Sequence, residues 1–513
     1  MKIFHGLMVT SRWAKLLPVL AGVACLGRPA AVVAAAPHRP NIVLIFADDL
    51  GWMDTGYQGR GYYETPNLDR LVREGMVFSS GYAAAGNCEP SRACLLSGQY
   101  TPRHEVYAVG STNRGPKHLM RMMPIPNRDG LAAENVTLAE ALKEAGYATG
   151  IFGKWHLDGP DGAKPEAQGF DVVFQSRGGW KGPAGTSENP KGIYSLTEAA
   201  GAFMTQNRER PFFVYLSHYA IHNEKQTRPA SLQRFQAKPP LEEQYDPLYA
   251  ACTYDLDDGV GRLLAKLAEL GLERNTLVVF VSDNGGTSAQ KPNHRGLEPW
   301  QEPLRGCKGC YYEGGIRVPF IVRWPGVVAP GTRCDVPIIS QDLYPTFLAA
   351  AGAAAPAGKV LDGENLLPLL RRSAPLRREA IFWHFPGYLN SAVPRGRDPV
   401  FRTRPASVIR KGDWKLHLYH EEWQLDGGRS RLSTNRAVEL YNLRDDIGER
   451  HDLAASQPAK RADLLDDLLA WLSAVQAKLP TARNPAYAPG GAPPAAEKQR
   501  AAPGRTGARR KTR

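Results

Sequence analysis

The residues from 88 to 98 combine a nucleophile with the features of a helix start. They read Cys-Glu-Pro-Ser-Arg-Ala-Cys-Leu-Leu-Ser-Gly. Pro90 suits a first helical turn, and Gly98 suits the position just after a helix ends. Such a helix places Cys88 at its positive end, where free backbone N–H groups stabilise anions, including an oxyanion held by a nucleophile. A buried structural cysteine before an ordinary helix is the alternative, and this stretch alone leaves it open.

Acidic side chains follow two apolar runs of strand length. Asp48 and Asp49 come directly after the first run, and Asp283 and Asn284 come directly after another. In open α/β sheets the working groups lie at the carboxyl ends of the strands. Carboxylate and amide oxygens are ligands that Ca²⁺ and Mg²⁺ prefer, so we expect a divalent cation site. A turn or a helix cap is the alternative for a single aspartate, but it is less favoured for an adjacent pair.

Basic side chains follow two other strand signals. Lys154 and His156 are two residues apart after a short predicted strand, so their side chains can point to the same side. Taken alone, this pair is better explained as a surface lysine beside a half-buried histidine. His218 and His222 follow a further apolar run.

Lys308 lies inside a Cys-x-x-Cys pattern formed by Cys307 and Cys310. Zinc binding would need a second pair of ligands, and thiol redox chemistry would need a thioredoxin-like βαβ context. The sequence shows neither. A disulfide around Lys308 and two free thiols both remain open.

The pattern of strand and helix signals around these residues predicts an α/β fold. Buried apolar strands between helices favour a large mixed, mainly parallel sheet flanked by helices. The clearest strands are 41–47, 211–217 and 276–282, and the clearest helices are 65–75, 88–98 and 137–145. A helical pattern over 246–270 carries Asp255, Asp257 and Asp258, which we assign to a solvated face.

Beyond about residue 375 the pattern changes to short alternating strands. They cover residues 379–385, 406–410, 414–419 and 438–442, and an amphipathic helix follows over 459–479. We expect a small antiparallel sheet covered by one helix in residues 376–482. The larger, catalytic domain is expected in residues 37–375.

The two ends of the chain differ from this body. Residues 1–36 have a basic start, a short apolar stretch and a run of small residues. This pattern predicts a secretory signal peptide, hence a secreted or periplasmic protein without a stable membrane span. Residues 483–513 are rich in Pro, Ala, Gly and Arg and predict a disordered basic tail. Residues 1–36 carry +4 and residues 483–513 carry +7 of the net charge of +13, so only +2 remains for residues 37–482. We therefore expect no nucleic-acid partner.

Taken together, the motifs resemble those of the type I, formylglycine-dependent sulfatases of the alkaline phosphatase superfamily. The resemblance extends from about residue 41 to residue 452 and implies an alkaline phosphatase-like fold. The matching motifs, in the family's order, are Asp48-Asp49, Cys88-x-Pro-Ser91-Arg92 followed by Leu95-Leu96-Ser97-Gly98, Gly153-Lys154-Trp155-His156, Ser217-His218-Tyr-Ala-Ile-His222, Asp283-Asn284-Gly-Gly, and Lys308-Gly309 with Tyr312-Glu313-Gly314-Gly315.

The resemblance implies that Cys88 is the precursor of formylglycine, produced by a maturation enzyme that reads Cys-x-Pro-x-Arg. It also implies a bound metal, usually Ca²⁺, with Mg²⁺ as the alternative. The implied metal ligands are Asp48, Asp49, Asp283, Asn284 and the modified Cys88.

The resemblance further implies roles for the basic residues. Arg92, Lys154 and Lys308 would neutralise the sulfate group together with the metal. One hydroxyl of the hydrated aldehyde would attack sulfur, and His222 or Lys308 would protonate the alcohol that leaves. His156 would then deprotonate the second hydroxyl, which expels sulfate and restores the aldehyde.

The expected function is that of an exported sulfatase acting on a sulfated carbohydrate. The nearest alternative is a phosphodiesterase or phosphonate monoester hydrolase of the same superfamily. A catalytically silent binder of sulfated glycans, with Cys88 left as a thiol, is the other. The loops 107–130, 158–195, 287–305 and 384–404 are expected to rim the pocket, and their Arg, His and Trp residues suit a polar, partly anionic sugar. Simple aryl sulfates are the alternative substrates.

Overall fold

The computed structural model describes residues 39–59, 61–174, 185–239, 246–287, 301–393 and 395–489. The predicted signal peptide and residues 490–513 of the predicted tail lie outside these ranges. In the described part of the chain, no helix is both long and apolar enough to cross a membrane.

The strands form one large sheet and three smaller ones. In chain order they are β1 (Asn41–Ala47), β2 (Met76–Phe78), β3 (Gly81–Tyr82), β4 (Ala148–Gly153), β5 (Val172–Phe174), β6 (Phe212–Ser217), β7 (Thr276–Ser282), β8 (Phe320–Arg323), β9 (Thr332–Cys334), β10 (Ile338–Ile339), β11 (Ala380–Phe385), β12 (Leu389–Asn390), β13 (Phe401–Thr403), β14 (Ala406–Lys411), β15 (Trp414–Tyr419) and β16 (Val438–Asn442).

The large sheet has eight strands in the order β5, β4, β6, β1, β7, β8, β2, β9. The five strands from β5 to β7 run parallel to one another. Strand β8 is antiparallel to both β7 and β2, and β2 pairs in parallel with β9. The predicted large mixed, mainly parallel sheet is therefore confirmed.

Helices cover both faces of this sheet. The helices are α1 (Pro66–Glu74), α2 (Cys88–Ser97), α3 (Thr101–His104), α4 (Leu138–Glu144), α5 (Ile193–Gln206), α6 (Pro229–Gln236), α7 (Pro247–Glu269), α8 (Glu313–Ile316), α9 (Leu343–Ala351), α10 (Leu367–Leu370), α11 (His420–Leu425) and α12 (Pro458–Ala474). On β1, Ile42 and Leu44 pack in the same cluster as α2, α4 and α9, whereas Val43 and Ile45 pack with α1, α5 and α7. Because both faces are buried, β1 is apolar throughout rather than alternating.

A second sheet of four antiparallel strands follows in the order β11, β14, β15, β16. Helix α12 covers it, with Leu464, Leu465 and Leu468 packed in one cluster with Ile409 and Leu416. The predicted C-terminal sheet with one helix is thus confirmed. The domain boundary near residue 375 stays a prediction.

The prediction of a solvated face on α7 is wrong for two of its three aspartates. Asp255 and Asp257 are buried. Asp255 accepts hydrogen bonds from the segment that leads into α6, and Asp257 accepts them from two backbone N–H groups in the first turn of α1. The Asp258 side chain is 35% exposed. The polar stripe of α7 therefore faces neighbouring chain segments rather than water.

Candidate active site

Neighbouring parallel strands bring the predicted residues to one edge of the large sheet. Strands β4, β6, β1 and β7 lie side by side, so their carboxyl ends meet. Lys154 follows β4, Asp48 follows β1 and Asp283 follows β7. Cys88, the first residue of α2, lies beside them, with its Sγ 3.9 Å from Oδ1 of Asp49.

The acidic residues are buried and tied to each other. Asp48, Asp49, Asp283 and Asn284 are at most 1% exposed. The backbone N–H of Asp49 donates to Oδ1 of Asp283 at 3.0 Å, and the Asn284 amide donates to Oδ1 of Asp49 at 2.8 Å. Asp49 has φ of 64°, a left-handed conformation that few non-glycine residues adopt. Backbone strain of this kind clusters at functional sites.

Each buried carboxylate pairs with a cation. The pairs are Lys308 with Asp49 (Nζ to Oδ1, 2.6 Å), Lys154 with Asp48 (Nζ to Oδ2, 2.7 Å) and Arg92 with Asp283 (NH2 to Oδ2, 2.8 Å). Arg92 also donates to the hydroxyl of Ser217 at 2.6 Å. Three of the predicted catalytic residues are therefore in contact with predicted metal ligands.

The pKa values of these carboxyls diverge. Burial alone would raise the pKa of Asp48, but the charges of Lys154 and Arg92 hold it well below its usual value. At Asp283, burial and the charge of Asp48 outweigh Arg92 and raise the pKa to about 7. A further cation in this cluster would stabilise the charged form of Asp283.

The donor set fits a hard divalent cation. Among the described residues, three buried oxygens of the cluster have no hydrogen-bond partner, namely Oδ1 of Asp48, Oδ2 of Asp49 and Oδ1 of Asn284. Leaving buried oxygens unpaired is costly, whereas Ca²⁺ and Mg²⁺ bind such oxygens. Possible ligand atoms of Asp48, Asp49, Cys88 and His222 lie within 4.8 Å of one another. His222 is thus close to the predicted metal ligands, although the sequence did not predict it as one.

Cys88 is buried at the start of a helix that is itself buried along its whole length. Gly98 closes this helix with φ of 70°, as predicted. The Lys308 ammonium donates to the Cys88 sulfur at 3.1 Å. Burial nevertheless raises the pKa of the Cys88 thiol, so the unmodified side chain is uncharged at neutral pH and a weak nucleophile.

Two of the three nearby histidines line the pocket. His222 has its Nε2 3.8 Å from Oδ2 of Asp49, and His156 has φ of 63°. Burial is the main cause that lowers the pKa of both His156 and His222, so both are neutral at neutral pH. His218 is fully buried and does not line the pocket, and burial lowers its pKa to about 3.

The pocket above Cys88 has a volume of about 250 Å³. Its described lining residues are Asn87, Cys88, Val109, Arg114, His156, His222, Lys308, Leu389, Asn390, Ser391 and Arg402. Two larger cavities, of about 520 and 790 Å³, are lined by none of the predicted site residues. Size alone therefore does not mark the site.

Two of the four predicted rim loops contribute to this lining. Loops 107–130 and 384–404 do so, through residues such as Arg114 and Asn390. None of the described residues of loops 158–195 and 287–305 lines the pocket, while residues 175–184 and 288–300 lie outside the described ranges.

Sequence reasoning missed Glu89, which follows Cys88 directly. Its carboxyl group accepts hydrogen bonds from the backbone N–H of Gly130 at 2.8 Å and of Gly110 at 3.4 Å, and thus ties the rim loop to α2. Burial and the charge of Asp129 raise the pKa of Glu89 to about 8. No spacing signal marks such a residue, because its partners are backbone groups distant in sequence.

The comparisons with known proteins agree with this geometry. The Sulfatase family model matches residues 40–353, and a model described as N-sulphoglucosamine sulphohydrolase, C-terminal, matches residues 307–478. A sulfatase of Formosa agariphila is 33% identical over 85% of this chain and 89% of its own. The N-acetylgalactosamine-6-sulfatase of Mus musculus is 33% identical over 76% of this chain and 74% of its own. The solved structure of Ps i-CgsB in complex with k-i-k-neocarrahexaose is 29% identical in sequence and has a TM-score of 0.65. The match covers 93% of that chain and 85% of this chain.

Proposed function

The chain belongs to the sulfatase family of the alkaline phosphatase superfamily and is a sulfuric ester hydrolase, and from this premise we propose that it removes sulfate from a sulfated carbohydrate outside the cytoplasm. Sugars are named for two of the similar proteins, N-acetylgalactosamine in N-acetylgalactosamine-6-sulfatase and neocarrahexaose in the Ps i-CgsB complex. The observation that carries the proposal is the position of Cys88, next to Lys308 and to an acid cluster that fits a cation.

The proposed nucleophile is formylglycine derived from Cys88, whose hydrate supplies a hydroxyl group for attack on sulfur and a second hydroxyl for release of sulfate. Two features of the chain support this modification. Cys88, Pro90 and Arg92 stand in the spacing of the maturation motif. Burial also keeps the unmodified thiol protonated, which makes catalysis by a thiolate unfavourable.

The proposed metal ligands are Asp48, Asp49, Asp283, Asn284 and the modified Cys88. Ca²⁺ is the preferred ion, with Mg²⁺ as the alternative, and when bound it would neutralise charge on the sulfate group. The unpartnered oxygens of Asp48, Asp49 and Asn284 support this assignment.

The proposed roles of the basic residues follow from where they lie. Lys308 lines the pocket and contacts Cys88, so we assign it to binding the sulfate group and to donating a proton, with His222 as the other candidate donor. Arg92 and Lys154 are fully buried against Asp283 and Asp48, so they act by holding those carboxyl groups in place and by favouring their charged forms.

His156 is proposed as the base that takes up the proton from the second hydroxyl. It lines the pocket, and its Nδ1 has no hydrogen-bond partner among the described residues. Because burial lowers its pKa, the ring is neutral and can accept a proton at neutral pH.

Export is proposed from residues 1–36, which lie outside the described ranges. A secreted or periplasmic enzyme would be cleaved near Ala36. Amino-terminal sequencing of the mature protein tests this, and a chain that retains its first 36 residues outside the cell would contradict it.

The test of the function uses protein exported from a host that makes formylglycine. Sulfate release from defined sulfated sugars and from an aryl sulfate is compared with turnover of a phosphodiester and a phosphonate monoester. Dominant sulfate release from the sugars is expected, whereas dominant phosphodiester or phosphonate turnover would favour the alternative hydrolase of the same superfamily.

Two measurements on the same protein test the cofactors. Mass spectrometry of the peptide that contains Cys88 should show the aldehyde, and an unmodified thiol together with bound sulfated glycan would favour a silent binder. Elemental analysis should show one Ca²⁺ or Mg²⁺, and chelation should abolish turnover until the ion is restored.

A further inference from the structure

The outer part of the pocket carries positive charge without acidic partners. Beyond Cys88 and Lys308, the lining includes Arg114 and Arg402. Among the described lining residues there is no aspartate or glutamate. Lys308 pairs with Asp49, so among the described lining residues Arg114 and Arg402 are the cations whose charge is left to attract an anion.

Arg114 has a fixed backbone and an unpaired side chain. Its backbone N–H donates to the carbonyl of Tyr388 at 3.2 Å, and the N–H of Tyr388 donates to the carbonyl of Thr112 at 2.7 Å. The guanidinium group is exposed and makes no hydrogen bond or ion pair with any described residue. Partial desolvation beside the pocket wall and the charge of Arg402 lower the pKa of Arg114, which is the sign expected for a cation with no anion beside it.

Among the residues that the structure describes, only neutral groups hold Arg402 in place. Its NH1 donates to the carbonyl of Lys308 at 2.8 Å, and its Nε donates to the carbonyl of Ser391 at 3.2 Å. The side chain also lies across Gly309, where a Cβ would come within 2.4 Å of Cδ of Arg402. The positive charge is therefore fixed beside Lys308 without a carboxylate to neutralise it.

Arg114 and Arg402 lie on two chain segments that pack against each other beside the pocket. Strand β12 pairs with β13, which carries Arg402, and the loop that carries Arg114 joins this hairpin through a parallel bridge between Asn113 and Tyr388. At Gly115, a Cβ would lie 2.6 Å from the ring of Phe401. Close packing of this kind fixes the two backbone segments that carry Arg114 and Arg402, which lowers the cost of ordering the two side chains around a ligand.

We propose that Arg114 and Arg402 bind a second anionic group of the substrate, a sulfate or a carboxylate, next to the sulfate ester that is hydrolysed. This inference rests on the proposed function, because it takes Cys88 as the position of the scissile sulfate. The substrate class is then a glycan with at least two anionic groups close together. The pocket volume of about 250 Å³ is small for a ligand site, and Arg114 is exposed, so we place the second group on the solvent-facing side of the pocket.

The test compares Arg114→Gln with the matched control Arg274→Gln. Arg274 is also exposed and unpaired among the described residues, but it precedes β7, at the opposite end of the strand from Asp283. Both variants lose one positive charge. Three substrates are used: a singly sulfated sugar, the same sugar with a second sulfate, and a sulfated sugar with a carboxylate.

For Arg114→Gln we expect KM for the two dianionic substrates to rise on the order of tenfold more than KM for the singly sulfated sugar. Arg114→Lys should restore most of the lost affinity, and high salt should reduce the difference between the variants. Loss with only one dianionic substrate would identify sulfate or carboxylate as the group that is bound.

The inference would be overturned by an equal change with all three substrates, or by no change relative to Arg274→Gln. If the wild-type protein releases sulfate from all three substrates and Arg114→Gln has the same KM values as the wild type, this inference alone fails. If the wild-type protein with formylglycine and metal releases no sulfate from any of them, the proposed function fails, and this inference fails with it.

Discussion

At the scale of single residues, Cys88 and Cys94 show how position decides the chemistry of a side chain. Both are buried in the same helix, and burial raises the pKa of both thiols. Only Cys88 lies at the positive helix end and contacts Lys308, whereas Cys94 contacts His104 at 3.3 Å. The environment therefore distinguishes Cys88, the proposed nucleophile precursor, from Cys94.

We predict that Cys88→Ala lowers sulfate release by at least about 10³-fold, the scale seen when enzymes lose their nucleophile. Cys94→Ala removes the same atoms six residues further along the helix and should keep most activity, with a stability cost of roughly 1–2 kcal/mol. Initial rates and thermal unfolding of both variants are the measurements. Near wild-type activity in Cys88→Ala would contradict the assignment.

The proposed role of His156 as a base predicts a pH dependence. Because burial lowers the pKa of His156, the neutral ring persists below pH 6.5, the usual pKa of histidine, and activity should fall only at more acidic pH. His156→Gln should lower kcat by about 10²- to 10⁴-fold with little change in KM. His451→Gln, at a side chain that is 78% exposed, is the control and should match the wild type. An unchanged pH profile of kcat in His156→Gln would exclude this role.

At the scale of elements, strands with both faces buried were predictable and polar helix faces were not. The bounds of β1 and β7 agree with the prediction because a continuous apolar run between polar residues leaves little choice. The aspartates of α7 have a helical spacing that fits either water or a neighbouring segment, so the sequence could not decide. The partners of Arg402 and Glu89 are backbone groups distant in sequence, which no local pattern contains.

We predict that Asp255→Asn destabilises the protein by about 2–3 kcal/mol, because it removes the charge that Arg228 and the hydroxyls of Thr227 and Ser231 surround. Asp258→Asn, three residues further along α7, should cost less than about 1 kcal/mol since its side chain is partly exposed. Urea denaturation of both variants measures the difference. Equal costs would show that burial of Asp255 does not matter for stability.

At the scale of the whole molecule, a buried ion cluster connects α8, which follows the Lys308 segment, with the C-terminal sheet. Glu313 accepts hydrogen bonds from Lys415 at 2.8 Å, Arg317 at 2.9 Å and the hydroxyl of Tyr82 at 2.7 Å. Lys415 lies on β15 and also pairs with Glu449 at 3.0 Å. The position of the active-site lysine segment thus depends on contacts to a sheet more than a hundred residues later in the chain.

This cluster predicts how the molecule unfolds in acid. Burial alone would raise the pKa of Glu313, but Lys415 and Arg317 lower it to about 2. An unfolded glutamate titrates near about 4.3, so the unfolded state binds more protons between these values, and stability falls as pH drops from about 5 to 2. The full contribution of Glu313 to the free energy of unfolding is on the order of 3 kcal/mol.

Glu313→Gln should therefore be less stable at pH 7 and show a flatter loss of stability in acid. Glu379→Gln, at a side chain that is 76% exposed, should follow the wild type. Chemical denaturation at a series of pH values measures the free energy of unfolding of each variant. If Glu313→Gln loses stability in acid as steeply as the wild type, other carboxylates cause the acid sensitivity.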